Sequence, residues 1–339
     1  MDTNMAHMYN KERYDHLCLT EESIPLFSRD WFLDAVCLPH CWDVLLIEEK
    51  GKVALACPLF LRDSQTVSMP PYTQSMGPWF APASADTKYT SDLSSKQQLA
   101  TQLVEQLRPY TYFFQHFSHH VTDWLPFYWA GYTQTTRYTY LLPDISDPAA
   151  LWENMTVHQR RNITKAQNKH GITVRRGIPL ADFIQAQTET FERQGMRNTG
   201  DQAALIRLIR AAQSRGQGDL WGGYDSQGRL HAAVFVAWQP SCAYYLAGGG
   251  CPEHRHSGAH ALVLWQVIQE MSIQSRSFDF EGSMLPGVER FFREFGAEQR
   301  PYFSISRQPR CFLRRFLHKV KLKLAQLWRK TYTFFQPKP

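Results

Sequence analysis

The stretch SFDFEGSMLPGVERFFREFG (277–296) sets two carboxylates, Asp279 and Glu281, into an apolar run that stops at Gly282-Ser283 and restarts after Pro286-Gly287. The spacing predicts a strand, a sharp turn and a short helix. Asp279 and Glu281 then alternate onto one face of the strand, with Phe278 and Phe280 on the other. If the phenylalanines face the core, both acids emerge toward a cleft. A partly desolvated carboxylate there suits proton removal from an amine that attacks a thioester or ester. The same acids could instead bond turn amides at Gly282 and Ser283, or pair with Arg290 or Arg293. The residues do not say which of the two acids would be the base.

Other candidates lie nearby in sequence. The run CAYYLAGGGCPEHRHSGAHAL (242–262) places three glycines before a loop, where backbone can bend or approach a ligand closely. It also clusters Cys251, His254, His256 and His260, but that spacing matches no usual zinc set and a second ligand pair is absent, so no metal is expected. Arg161, Lys165 and Lys169 recur every fourth residue, next to Arg160, as a basic stripe on a predicted helix. A solvated face explains such a stripe; so does a phosphate-bearing acceptor, which arginine can grip bidentately. PPYTQSMGPW (70–79) combines rigid backbone with Tyr72, Gln74 and Trp79 and forms a candidate acceptor lip. No nucleophile elbow, zinc-protease helix or phosphate-binding P-loop is present.

These candidates need elements to position them. The second half reads as a strand (172–177), helices at 179–194 and 201–214, three strands (219–225, 229–238, 242–248), a helix through Ala261–Met271, a strand (277–282), a short helix and a last strand (301–306). The first half reads as a helix near 28–37 capped by Ser28, strands at 42–49 and 52–61 about a Lys50-Gly51 turn, and the Pro-rich 69–80 segment. A helix near 92–107, a strand at 112–117, a helix near 123–131 and a strand at 134–142 follow. Order repeats where sequence does not. The expectation is an α/β (α+β) chain of two copies of one unit, each a mixed, mostly antiparallel sheet flanked by helices. The expected domains are 1–145 and 172–308, with linker helices in 146–171 and a tail at 309–339.

At 339 residues the chain suits two domains of about 150 each. With 43% hydrophobic residues it can fill two cores, which excludes global disorder. Seven scattered cysteines and no charged-apolar-small leader point to a reduced, cytoplasmic protein. The net charge of +6 is localised: residues 310–339 hold nine Lys/Arg and no acid, leaving 28 basic against 31 acidic residues elsewhere. In that tail Leu313, Leu317, Val320, Leu324 and Leu327 form one apolar stripe of a predicted basic amphipathic helix. Packing on the body, an anionic membrane surface, or a nucleic-acid or protein partner would each suit it.

The element order resembles the GNAT acetyltransferase fold in tandem, as in the FemAB-like aminoacyltransferases of peptidoglycan bridges and their acyltransferase relatives. LWENMTVHQRRNITKAQNKHGITV (151–174), GVERFFREFGAE (287–298) and WFLDAVC (31–37) carry the resemblance, which spans about 25–306. It implies two GNAT-like domains and an N-acyltransferase that moves an acyl or aminoacyl group from acyl-CoA or aminoacyl-tRNA to an amine, such as a cell-envelope precursor. Asp279 or Glu281 would take the proton. Gly249, Gly250, Arg255, Ser257 as N-cap and Gly258 would hold the donor's pyrophosphate at a helix start, although His260 stands where the family motif has a small residue. Tyr72, Gln74, Trp79, Arg160, Arg161, Ser283, Arg290 and Arg293 would meet substrate. In members that use aminoacyl-tRNA a lysine follows the first phenylalanine of the closing stretch; here it is Phe292, and the helical hairpin of several such enzymes is missing. Both departures weaken tRNA as donor. The chief alternative is a non-catalytic binding protein for tRNA or anionic lipid headgroups. Under either reading the protein is expected to be cytoplasmic, with the basic tail suited to a peripheral place on the inner membrane face.

Overall fold

The computed structural model describes residues 3–193 and 201–308. The predicted tail helix therefore lies outside the described residues. The first half runs α1 (Thr3–Thr20), α2 (Asp30–Val36), β1 (Trp42–Glu49), β2 (Lys52–Asp63), β3 (Thr66–Ser68), β4 (Trp79–Phe80), α3 (Tyr89–Gln106), β5 (Tyr112–His116), α4 (Leu125–Trp129) and β6 (Thr133–Leu142). Helices α5 (Pro148–Asn154) and α6 (Val157–Asn168) lead to the second half. There β7 (Thr173–Arg176), α7 (Leu180–Arg193), α8 (Gln202–Ser214), β8 (Gly218–Tyr224), β9 (Leu230–Gln239) and β10 (Cys242–Gly250) precede α9 (Ala259–Met271), β11 (Ser277–Asp279), α10 (Pro286–Arg293) and β12 (Glu298–Arg307).

Local chemistry accounts for most boundaries. Lys50 and Gly51 both take positive φ (51° and 75°), the backbone a tight β1–β2 hairpin needs. Asp147, Thr156 and Asp201 cap α5, α6 and α8 by accepting first-turn N–H groups. The expected Ser28 cap of α2 does not form: Arg29 holds the N-cap position without a side-chain bond. Ser28 is instead buried in the preceding turn, and its carbonyl accepts the Tyr14 hydroxyl at 2.6 Å. Tyr14 belongs to α1, an element without a sequence-stretch pattern strong enough to predict.

Twelve strands form one sheet in the order β1-β2-β3-β5-β12-β6-β11-β10-β9-β8-β7, with β4 on the edge of β2. Each half contributes antiparallel strands and then one parallel pair, β3/β5 or β10/β11. A long helix, α3 or α9, makes that parallel crossover, as parallel pairing requires. The repeat has a fixed offset over its latter part: β5 and β11 start at 112 and 277, β6 and β12 at 133 and 298, and α3 and α9 end at 106 and 271. The last strands of the two halves lie side by side at the seam. There β12 inserts between β5 and β6, while β6 also pairs with β11. The strand expected to close the second half thus pairs with both halves.

The cores reinforce the seam. One cluster joins Phe27, Phe32 and Trp31 of the first half to Phe183, Leu208, Phe235 and Tyr244 of the second, and the Phe27 and Tyr244 ring centroids are 4.9 Å apart. A second cluster packs α9 and α10 on the opposite sheet face around Phe278 and Phe280, both fully buried. Each such phenylalanine contributes roughly 1.5–3 kcal/mol. The expectation that they face the core is met.

Candidate active site

Strands β10 and β11 pair for only three residues, 242–244 with 277–279, and then part. Strand β10 runs on to Gly250, whereas β11 ends because Glu281 and Gly282 both adopt left-handed backbones (φ 60° and 56°). A glutamate in that region is strained, a condition that persists only where surroundings impose it. The surroundings here are β6: a Cβ on Gly282 would collide with the Tyr138 carbonyl. Only glycine lets the turn close against the first half.

Asp279 sits at the mouth of this fork and is 1% exposed. Its Oδ1 accepts the Thr139 hydroxyl and, at 2.7 Å, the Glu281 N–H. Gln74 Nε2 donates in turn to the Thr139 hydroxyl oxygen at 3.0 Å, so the first half supplies a relay of side chains to a carboxyl of the second. Burial raises the Asp279 carboxyl to about 6, against the pull of the two hydrogen bonds. Glu281 is half-buried, and its Oε1 is enclosed with no hydrogen-bond partner among the described residues. Burial, then the Asp279 charge, pushes Glu281 well above the usual carboxylate range. Each of these neighbouring acids therefore keeps its proton to higher pH than a solvated carboxyl does.

The same sheet face carries Tyr244, the cross-strand partner of Asp279, and Tyr302, whose hydroxyl accepts from Arg137 Nε at 3.2 Å. Leu141, the other cross-strand partner, and Tyr244 also floor a cavity of about 570 Å³ between the halves. Trp79, Tyr89, His119 and Arg276 are among its walls. Asp279 and Glu281 do not line that cavity, nor the two open grooves along α5 and α6. The expectation that both acids emerge into a cleft is corrected: neither lines these cavities, and Asp279 is buried between the floor residues Leu141 and Tyr244, under the Thr139 hydroxyl that Gln74 of the 69–78 segment holds.

The other expected site residues divide. Gln74 joins the carboxyl pair. Trp79 walls the cavity, its indole held by Ser23 at 2.9 Å. Tyr72 is half-buried at φ 54° against the shared core. Arg160 binds Glu153 at 2.8 Å and also donates to the Trp152 and Glu153 carbonyls, while Arg161 stays exposed. Both border the α6 groove with Lys165 and Lys169. Arg290 and Arg293 do not reach the acids: they pair with Glu294 and Glu289 along α10. Glu289 accepts the hydroxyl of Tyr140, which lies on the sheet face opposite Thr139. Ser283 accepts the Leu285 N–H and stabilises the turn.

The expected donor loop is likewise engaged. Gly249 is required because any side chain would strike the Ala186 carbonyl of α7, and the Gly250 N–H donates to Thr190. Gly258, not Ser257, is the N-cap of α9 at φ 77°, with the Asn162 carbonyl of α6 pressed against it. Ser257 is buried and accepts the Ala259 N–H at 3.2 Å; Arg255 is exposed on the turn. Sequence reasoning missed Thr139, Arg137, Tyr244, Tyr302 and His116. None carries a local signal, since each acquires its neighbours through strand pairing across 140 residues or more, or across the fork.

Comparison with known proteins fits this geometry. Residues 158–293 match the family model described as an acetyltransferase (GNAT) domain. The fold is similar to that of FemX (12% identity, TM-score 0.63, covering 86% of this chain and 95% of that one). It is also similar to a tandem GNAT protein of the clavulanic acid pathway (11%, 0.51, 90% and 95%) and to L-PGS of Bacillus licheniformis (12%, 0.54, 92% and 96%). No curated protein sequence matches. Residues 158–293 thus match a GNAT domain, and the two-half fold is similar to those of FemX and of a tandem GNAT protein.

Proposed function

We propose that this protein is an N-acyltransferase that moves an acyl or aminoacyl group from an activated donor to an amine. The observation that carries the reading is the carboxyl pair Asp279–Glu281 at the fork where β10 and β11 part. In a transfer step the amine nitrogen attacks the acyl carbon, its proton passes to the pair, and the thiol or hydroxyl of the donor leaves. Backbone N–H groups beside the fork would stabilise the developing oxyanion. The GNAT domain match favours an acyl-CoA as donor, and the Phe292 position argues against aminoacyl-tRNA. The cavity beside Asp279 would take the acceptor, here proposed to be a small amine or an envelope precursor. The basic segment 310–335 would hold the chain at an anionic membrane; no helix among the described residues is long and apolar enough to cross one.

Thermal shift with acetyl-CoA, longer acyl-CoAs, aminoacyl-tRNA and nucleotide-linked sugars tests the donor class. A shift from acyl-CoA alone supports the reading; no shift from any activated donor sinks it. A chain truncated after residue 309 tests the membrane role, which fails if it pellets with anionic liposomes as well as the full chain does. One observation favours a second reading, a binding protein without catalysis: both acids are withdrawn from the cavities. Under that reading Asp279→Asn leaves ligand binding intact and there is no transfer to lose.

A further inference from the structure

The connection from β10 to α9 carries donor atoms that acyl transfer does not use. Its turn, Pro252–Ser257, folds so that Cys251, Glu253 and His254 bring one ligand atom each to within 4.8 Å of one another. Cys251 and His254 are half-buried and Glu253 is exposed. The His254 ring stacks on that of His231 in β9, with centroids 4.1 Å apart and planes 10° apart. His231 is 7% exposed; its Nε2 lies 3.2 Å from Asp225, and its Nδ1 is enclosed with no hydrogen-bond partner among the described residues. Gly250 pairs with Ala232, so Cys251 and His231 leave the β9/β10 ladder at the same end.

We propose that this cluster is a zinc site in which Cys251 Sγ, a Glu253 carboxylate oxygen and a His254 ring nitrogen are ligands and the fourth position is open. A thiolate, an imidazole and a carboxylate together suit Zn²⁺ and disfavour Mg²⁺ and Ca²⁺, which take oxygen donors. Metal–ligand bonds of about 2.0–2.3 Å put tetrahedral ligand atoms roughly 3.5 Å apart, so a cluster whose atoms lie within 4.8 Å of one another contracts by no more than about 1.3 Å. Rotation of the exposed Glu253 and half-buried Cys251 side chains can supply that. The stacked His231, anchored by Asp225, limits the orientation of the His254 ring, the task that outer partners perform at metal sites. This trio differs from the cluster visible in sequence: His260 is committed to the Tyr245 hydroxyl at 3.0 Å, and His256 lies outside the group. An ion here would tie the end of β10 to the lead-in of α9.

The test is titration of the full chain, stripped with chelator, with Zn²⁺ against a chromophoric chelator and with Co²⁺ followed by visible absorption. Binding should weaken by more than about 100-fold in Cys251→Ser and in His254→Ala, beyond the range of outer-partner changes. The thiolate-to-cobalt absorption should vanish in Cys251→Ser, and His256→Ala should bind as the parent does. Glu253→Gln guards against misfolding, because an exposed side chain can be changed without loss of packing, and it too should bind more weakly. Undiminished binding in Cys251→Ser and His254→Ala, equal loss in His256→Ala, or no saturable binding by the parent overturns the proposal.

Discussion

Where the second half carries Asp279 and Glu281 at the end of its parallel strand, the first half carries Phe114 and His116. The constant offset of the two copies makes these positions counterparts, and Asp279, Phe114 and His116 belong to the same sheet face. The surroundings differ as much as the residues. Beyond β3 the first half turns away after three residues, and its 69–78 segment returns over the sheet, with Met76 bridging to Phe117 and the Gln74 carbonyl 3.1 Å from His116 Nδ1. Burial, then the charge of Arg137, lowers His116 to about 4, so it stays neutral. In the second half β10 continues for nine residues and the fork holds two acids that no cation among the described residues neutralises. A duplicated scaffold therefore holds a buried acid pair in one copy and a covering segment in the other. The covering segment reaches across the seam, through Gln74 and Thr139, to the site of its twin.

The largest expected effect breaks the symmetry most directly. Asp279→Asn should lower the acyl-transfer rate by about 10²–10⁴, the usual range for a lost proton acceptor. His116→Phe at the counterpart position should stay within about tenfold of the parent. Comparable losses in both would return the two halves to equal standing. Gly282→Ala comes next: its left-handed backbone and the Tyr138 carbonyl leave no room for a methyl, so urea unfolding should register a loss of about 3 kcal/mol or more. The same change at Gly51, also at positive φ but facing open space, should cost about 1 kcal/mol.

The pH dependence sharpens the contrast in electrostatics. Burial lifts Asp279 from 3.8 to about 6, so the folded chain keeps this proton to higher pH than the unfolded chain does. Its contribution is therefore full below pH 3.8 and is lost as pH rises through about 6, by roughly 3 kcal/mol. Glu281, raised by burial and by Asp279, extends the loss to higher pH. Asp279→Asn should flatten the fall in denaturant midpoint across that window, and an unchanged slope would contradict the assignment. The smallest effect is expected at Arg290→Ala, which removes an exposed pair with Glu294 and should cost about 0.5 kcal/mol with transfer unchanged. A large loss of transfer there would restore Arg290 to the site.

Much of the element order is legible in the sequence because it is a local matter. The apolar run in 229–238, the alternation in 277–281 and the Lys50-Gly51 turn are all set by neighbours within a few residues, whereas the Ser28 and Ser257 caps read from the sequence give way to Arg29 and Gly258. The duplication follows from that order, as does the placing of Asp279 on the strand face opposite Phe278 and Phe280. Which groups meet those acids is a different matter. Strand register alone brings Thr139 and Tyr244 to Asp279, removes Arg290 and Arg293 to the far face, and inserts β12 beside β5. Burial is likewise a tertiary quantity: a carboxylate next to phenylalanines reads the same in sequence whether its other face meets water or the 69–78 segment. The sequence by itself determined two copies of one plan and two acids at a strand end. The folded chain decided that these acids lie covered at the seam, since desolvation and partners come from residues far away along the chain.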